Sequence, residues 1–142
     1  MKQLFSILAF VLVGAFAATA QNASGAVMTF DATTVDYGTI EKGADPIRKL
    51  KFTNTGTEPL IIKDAKGSCG CTTPKWPKEP IMPGESETIE IKYDTQRVGA
   101  FTKTVTITTN EASGTHAITV KGDVKAPAAQ ESVPASGGGI KG

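Results

Sequence analysis

The chain has 142 residues, with 15 Lys and Arg against 14 Asp and Glu, one His and two Cys. That is enough for one domain, and the balanced, interspersed charge excludes the basic footprint that nucleic acid or an anionic lipid surface requires. One histidine and two cysteines also fall short of the roughly four good ligands of a tetrahedral zinc site.

From the N-terminus, Lys2, the apolar run Leu4 to Ala18 and Ala18-Thr-Ala20 before Gln21 have the three regions of a secretory signal peptide, with cleavage expected after Ala20. The run is about fifteen residues, short of the roughly 20 that a spanning helix needs. No cysteine follows it for lipid attachment, and no second apolar stretch exists. The mature chain is therefore expected to be periplasmic or secreted, with no integral membrane segment. Losing Lys2 with the leader leaves 14 basic against 14 acidic side chains. Residues 21–26, Gln-Asn-Ala-Ser-Gly-Ala, read as a flexible lead-in and 27–124 as a single domain. Residues 125–142 are rich in Ala, Pro, Ser and Gly, with only Val133 and Ile140 as larger apolar side chains. Such a segment buries too little to offset its ordering entropy and is expected to be a disordered tail.

Between residues 27 and 124, apolar side chains recur at every second position, the period of half-buried strands. Leu50 and Phe52 alternate with Lys49, Lys51 and Thr53; Ile89, Ile91 and Tyr93 with Glu90 and Lys92; Val105 and Ile107 with Thr104, Thr106 and Thr108; Ile118 and Val120 with Thr119 and Lys121. The separators carry turn chemistry: Asn54-Thr-Gly56, Met82-Pro-Gly84, Val98-Gly99 and Asn110-Glu-Ala-Ser-Gly114. No window combines helical spacing with caps. About seven short strands predict an all-β sandwich. Two positions are out of phase. Lys103 shares parity with Phe101 and Val105, which predicts a bulge or a stem lying along the rim, and Ile47 is out of step with Leu50, which predicts a bulge near Arg48.

The residues Val35-Asp-Tyr-Gly-Thr-Ile40, Phe52-Thr-Asn-Thr-Gly56, Leu60-Ile61, Ser68-Cys-Gly-Cys-Thr72, Ile81-Met-Pro-Gly-Glu85, Gly99-Ala-Phe101, Ile107-Thr-Thr-Asn110 and Val120-Lys-Gly122 occur in this order. Together they resemble an exported bacterial family known as domain of unknown function fifteen seventy-three. The resemblance covers the whole of 27–124. It implies an immunoglobulin-like antiparallel sandwich related to major sperm protein and Hydin-type domains, which act as interaction or scaffolding modules. It implies no catalytic residues.

The stretch with chemical character is Lys66-Gly-Ser-Cys-Gly-Cys-Thr-Thr-Pro74, which holds both cysteines. Several readings are open. In the preferred one, Cys69 and Cys71 are small apolar residues facing the core, and Gly70 lets a neighbouring segment come close. In another they are bridged. Residues two apart on a strand have Cα atoms about 6.6 Å apart, so a bridge requires a turn at Gly70. Closing so short a loop restrains the unfolded chain by only about 1.6 kcal/mol, and an accessible bridge that holds so little together suits a redox-active pair. In a third, two thiolates bind Cu(I) linearly; His116, Met28 and Met82 are not clustered with them. Lipid or partner attachment is the remaining use.

Trp76 lies in Thr73-Pro-Lys-Trp-Pro-Lys-Glu-Pro80, where three prolines hold the chain extended and keep it out of a sheet centre. Its ring either fills the core or faces outward as a platform for a peptide strand or glycan. His116 has no Ser, Cys or carboxylate at a recognisable spacing and reads as rim. Glu85, Glu87 and Glu90 read as a solvated face, not a calcium loop. The sequence therefore predicts an exported, non-catalytic module without cofactor or metal. It binds or positions an envelope protein or glycan through Cys69, Gly70, Cys71 and Trp76. The alternative is a periplasmic thiol-redox or Cu(I)-handling protein that uses the same turn.

Overall fold

A computed structural model describes residues 25–128. The expected signal peptide, the lead-in as far as residue 24 and the tail from residue 129 lie outside the described residues. Eight strands follow one another: β1 (Met28–Phe30), β2 (Thr34–Glu41), β3 (Ile47–Asn54), β4 (Ile62–Gly67), β5 (Thr72–Lys75), β6 (Ser86–Tyr93), β7 (Gly99–Thr109) and β8 (Thr115–Lys125). They form two four-stranded sheets, in the orders β1-β3-β6-β5 and β2-β8-β7-β4. The architecture is an immunoglobulin-like β-sandwich. It takes in Ala26, buried in the core, and Lys125, the last residue of β8.

The count is one above the expected seven. Asp31 to Thr33 carry the chain from β1, at the edge of one sheet, to β2, at the edge of the other. The β2–β8 ladder is parallel, while all the others are antiparallel. Alternation of side chains fixes which face is buried but not strand direction, so this pairing had no signature in the sequence.

Leu50, Phe52, Ile89, Ile91 and Tyr93 of one sheet meet Val105, Ile107, Ile118, Val120 and Val124 of the other, all buried. Each contributes about 1.5–3 kcal/mol of apolar transfer. At one end three aromatic rings interlock. Tyr93 and Phe101 stack with centroids 3.6 Å apart, and Tyr37 stands edge-on to them at 6.0 and 5.6 Å. The Tyr37 hydroxyl lies 2.8 Å from the carbonyl oxygens of both Pro46 and Ile91. Burial pushes its pKa up to about 12, with the Arg48 guanidinium opposing the shift. Gly122 makes room for this group: a methyl added there would come within 2.8 Å of the Phe101 ring and of Tyr37 Cβ.

Two asparagines bind the loops to the sandwich. Asn54, 0% exposed, donates through Nδ2 to the carbonyls of Glu58 and Ile81 at 2.8 and 2.9 Å. Its Oδ1 accepts from the Gly56 and Val27 amides at 3.0 and 3.4 Å. Asn110 repeats the device nearby, accepting from the Ile61 amide and donating to the Pro59 carbonyl.

The out-of-phase residues need no bulge. β3 pairs with β6 in unbroken register from Ile47 to Thr53, so the bulge expected near Arg48 is absent, and Ile47 is simply 40% exposed at the strand's start. β7 is likewise regular against β8, and Lys103 sits half-buried at a core-facing position, the rim alternative. Register shifts fall instead between Asp36 and Thr39 and between Ile62 and Asp64.

His116 has a partner after all. Its Nε2 donates to Glu111 Oε2 at 2.5 Å, across the turn between β7 and β8. The same oxygen accepts from the Thr109 hydroxyl at 2.7 Å, and Oε1 accepts from the Met28 amide at 2.7 Å. The bonds from Thr55 N to Val27 O and from Asp31 N to Lys51 O fix Met28 as a residue whose amide points away from β3. Glu111 therefore caps an otherwise open edge of β1. Burial opposes ionisation of Glu111, which is 6% exposed, but the bonds from Met28, His116 and Thr109 outweigh it and lower the carboxyl pKa. A lowered folded-state pKa gives stability that is present above the unfolded value and lost as pH falls through the folded one. Glu111→Gln is expected to cost about 2 kcal/mol at neutral pH and to flatten the decline in melting temperature below about pH 4.5. A thermal-melting series in which parent and variant decline in parallel would refute this assignment.

Candidate functional site

β4 is the edge of one sheet and β5 the edge of the other, and residues 68–71 carry the chain between them. The turn is pinned from both sides. The Ser68 amide donates to Thr104 O at 2.8 Å, and the Ser68 hydroxyl accepts from the Thr104 amide at 3.1 Å. The Asp94 amide donates to Cys71 O at 2.8 Å, and the Thr72 amide closes the turn onto Cys69 O at 3.3 Å.

Antiparallel ladders alternate inward and outward backbone groups, so these bonds fix the rest. On β5 the groups of Thr73 and Lys75 point to β6, while those of Thr72 and Pro74 point away. Pro74 thus sits where a missing amide costs no ladder bond, and it blunts the edge. On β4 the outward residues are Ala65 and Gly67. Gly67 approaches β5 so closely that an added Cβ would overlap the Thr72 carbonyl oxygen.

Between the two edges runs a seam lined by Ala65, Gly67, Cys69, Gly70, Pro74 and Trp76. It brings together three of the four residues singled out from the sequence, Cys69, Gly70 and Trp76. The fourth, Cys71, faces the core beside it at 7% exposure and borders a second hollow with Gly70 and Tyr93.

The preferred reading of the cysteines is corrected: Cys69 and Cys71 are joined by a disulfide with their Cα atoms 5.2 Å apart. The turn at Gly70 is what makes this possible, since an extended strand would hold them too far apart. Gly70 does not admit a neighbouring segment; nothing lies within 4 Å of where its Cβ would be. The close approach belongs to Gly67. The Thr72 hydroxyl lies 3.8 Å from each sulfur. Bonded sulfurs are not thiolates, so in this state the pair offers no soft-metal ligands.

Trp76 is half-buried against the core at the end of β5, on an edge as the prolines predicted. Its indole N–H is buried without a hydrogen-bond partner. The Lys78 ammonium lies 3.2 Å from the ring centroid, a cation–π contact that covers part of one face. The arrangement holds an aromatic ring, a disulfide and the outward backbone groups of Ala65 along one side of the sandwich. Among the described residues no group of three or more His, Cys, Asp or Glu side chains is placed to hold a metal ion. No helix among them is long and apolar enough to cross a membrane.

A family profile described as Protein of unknown function (DUF1573) matches residues 28–124. None of the curated proteins matches the sequence. Among solved structures, a protein of unknown function from Porphyromonas gingivalis W83 superposes with a TM-score of 0.62 at 20% identity, over 74% of this chain and 50% of that one. The YadV chaperone gives 0.53 at 15% identity, over 69% and 52%. The ASH or PapD-like domain of human CEP192 gives 0.55 at 11% identity, over 89% and 99%. This chain therefore spans about half the length of the first two. At such identities the likeness is one of fold.

Proposed function

The chain belongs to the DUF1573 family of proteins of unknown function, and from that premise we propose that it is an exported, non-catalytic module that binds or positions another protein of the cell envelope. The observation that carries this reading is the seam between β4 and β5. There the Trp76 ring, which the core only half covers, lines an open hollow with Gly67, Cys69 and Pro74 over the buried Ala65. A half-covered aromatic ring in a hollow between two sheet edges is the kind of anchor that a docked segment of another protein uses. The YadV and SfaE chaperones have the same sandwich, and the SfaE protein is periplasmic by its description, which supports an exported binding role.

Pull-down from envelope extract tests the reading. Trp76→Ala is expected to lose the partners that the parent recovers by at least about tenfold, the loss typical of a central aromatic contact. Thr29→Ala, exposed on β1 at the opposite edge of the sheet from β5, should keep them. Equal recovery by all three proteins would remove the seam as the contact surface. A thiol-redox role is the second reading, favoured by the closed Cys69–Cys71 bridge at the seam's wall.

A further inference from the structure

The disulfide does not hold the sandwich together. It links residues two apart inside a turn already closed by the Thr72 amide on Cys69 O and fixed to β6 by the Asp94 amide on Cys71 O. Opening it leaves every ladder in place, so its redox state is a local property of the seam. The two sulfurs also differ in setting. Cys69 is half-buried and forms part of the seam's wall, whereas Cys71 is a buried member of the core.

We propose that Cys69 is the electrophilic sulfur of a reversible thiol–disulfide exchange with a cysteine of a polypeptide docked in the seam, and that Cys71 is the leaving and resolving thiol. The partner's thiolate attacks Cys69 Sγ. A partner–Cys69 disulfide forms, the Cys69–Cys71 bond breaks, and the electron pair leaves on Cys71 Sγ as a thiolate. No external oxidant or reductant is consumed. The Thr72 hydroxyl, 3.8 Å from both sulfurs, donates its proton towards the new Cys71 thiolate. In the reverse step that thiolate attacks Cys69 Sγ and releases the partner as a thiolate, so the module holds its partner covalently without being consumed. The direction follows from access, because attack on a disulfide requires an open path to the sulfur attacked. The proposal rests on the seam being the contact surface, and it adds the chemical class of the partner.

The test uses the full chain. Free-thiol variants Cys71→Ser and Cys69→Ser are mixed with 5,5′-dithiobis(2-nitrobenzoate), and Cys69 in the first is expected to react at least about tenfold faster than Cys71 in the second. Equal or reversed rates overturn the assignment. Should either variant fail to fold, the parent decides. After excess reduced glutathione, an acid quench, maleimide blocking and non-reducing mass spectrometry, the expected product carries glutathione on Cys69 and maleimide on Cys71. Glutathione on Cys71, an even split, or an intact bridge would refute it. In envelope extract, Cys71→Ser preloaded with thionitrobenzoate as a mixed disulfide on Cys69 should trap adducts that dithiothreitol releases, the partner thiolate displacing thionitrobenzoate, and Cys69→Ser preloaded on Cys71 should not; adducts with glutathione alone would exclude a polypeptide partner. If exchange fails while Trp76→Ala still loses its partners, the covalent step falls and the binding surface stands.

Discussion

Replacing Asn54 with Ala is expected to lower stability by about 3 kcal/mol, or roughly 15 °C in melting temperature for a domain of this size. The side chain is fully buried and serves four backbone groups in three segments: Val27, Gly56 with Glu58, and Ile81. Ile81 O keeps a second donor in the Leu60 amide, so the loss is concentrated on the Glu58 carbonyl and the Gly56 amide. Groups left unpaired in the interior cost about 1–3 kcal/mol each, which outweighs the single hydrogen bond counted in a surface substitution. A chemical denaturation midpoint within about 1 kcal/mol of the parent would show that water or a shifted loop replaces all four contacts. The same residue ties the Phe52-Thr-Asn-Thr-Gly56 and Ile81-Met-Pro-Gly-Glu85 stretches together in the fold, through its side chain to Ile81 O and its backbone to Gly84 N and Glu85 O.

The second large effect is expected at Gly67. Gly67→Ala puts a methyl group onto the Thr72 carbonyl oxygen, and backbone cannot yield as a flexible side chain does. β4 and β5 must move apart, with an overpacking cost of about 3 kcal/mol. Gly70→Ala, three residues on, meets open space and should shift the midpoint by no more than about 0.5 kcal/mol. The pair of variants separates two meanings of glycine in one turn. Equal tolerance at both positions, measured by thermal melting, would mean that the seam is looser than its geometry states. Gly67→Ala should also weaken partner recovery, since the seam's walls are the edges it displaces.

Much of the fold was legible because one physical signal dominates it. Ile89, Ile91 and Tyr93 alternate with charged neighbours, and all three are buried; the same holds for Val105 with Ile107 and for Ile118 with Val120. Where that signal is weak, the strands went unread. β4 carries only Ile62 and Ala65 towards the core, out of step with each other across a register shift, and β5 has no large aliphatic residue at all. Its place is fixed by the turn before it and the prolines around it.

The site was legible in its residues but not in its chemistry. Spacing alone favoured unbridged cysteines and kept the bridge as an alternative that needs a turn at Gly70, because spacing cannot show whether that turn forms. The role given to Gly70 belongs three residues earlier, where the signal is contact with a strand of the other sheet. His116 was read as partnerless, although Asn110-Glu-Ala-Ser-Gly114 had been recognised as a turn. Glu111 lies inside that turn and His116 sits opposite Ile107 in the ladder, so strand pairing alone does not bring the two side chains together; the path of the turn does.

The parallel pairing of β2 with β8 bears on the order of assembly. Among the described residues, 34–41 find ladder partners at 119–125 alone, so one long loop must close before β2 is satisfied. Loops of that span close late and govern the rate. A chain delivered N-terminus first can zip β3 with β6 and β7 with β8 as each appears. Its first long strand stays unmatched until β8 arrives, which makes emergence of residues 119–125 the gate for cooperative folding.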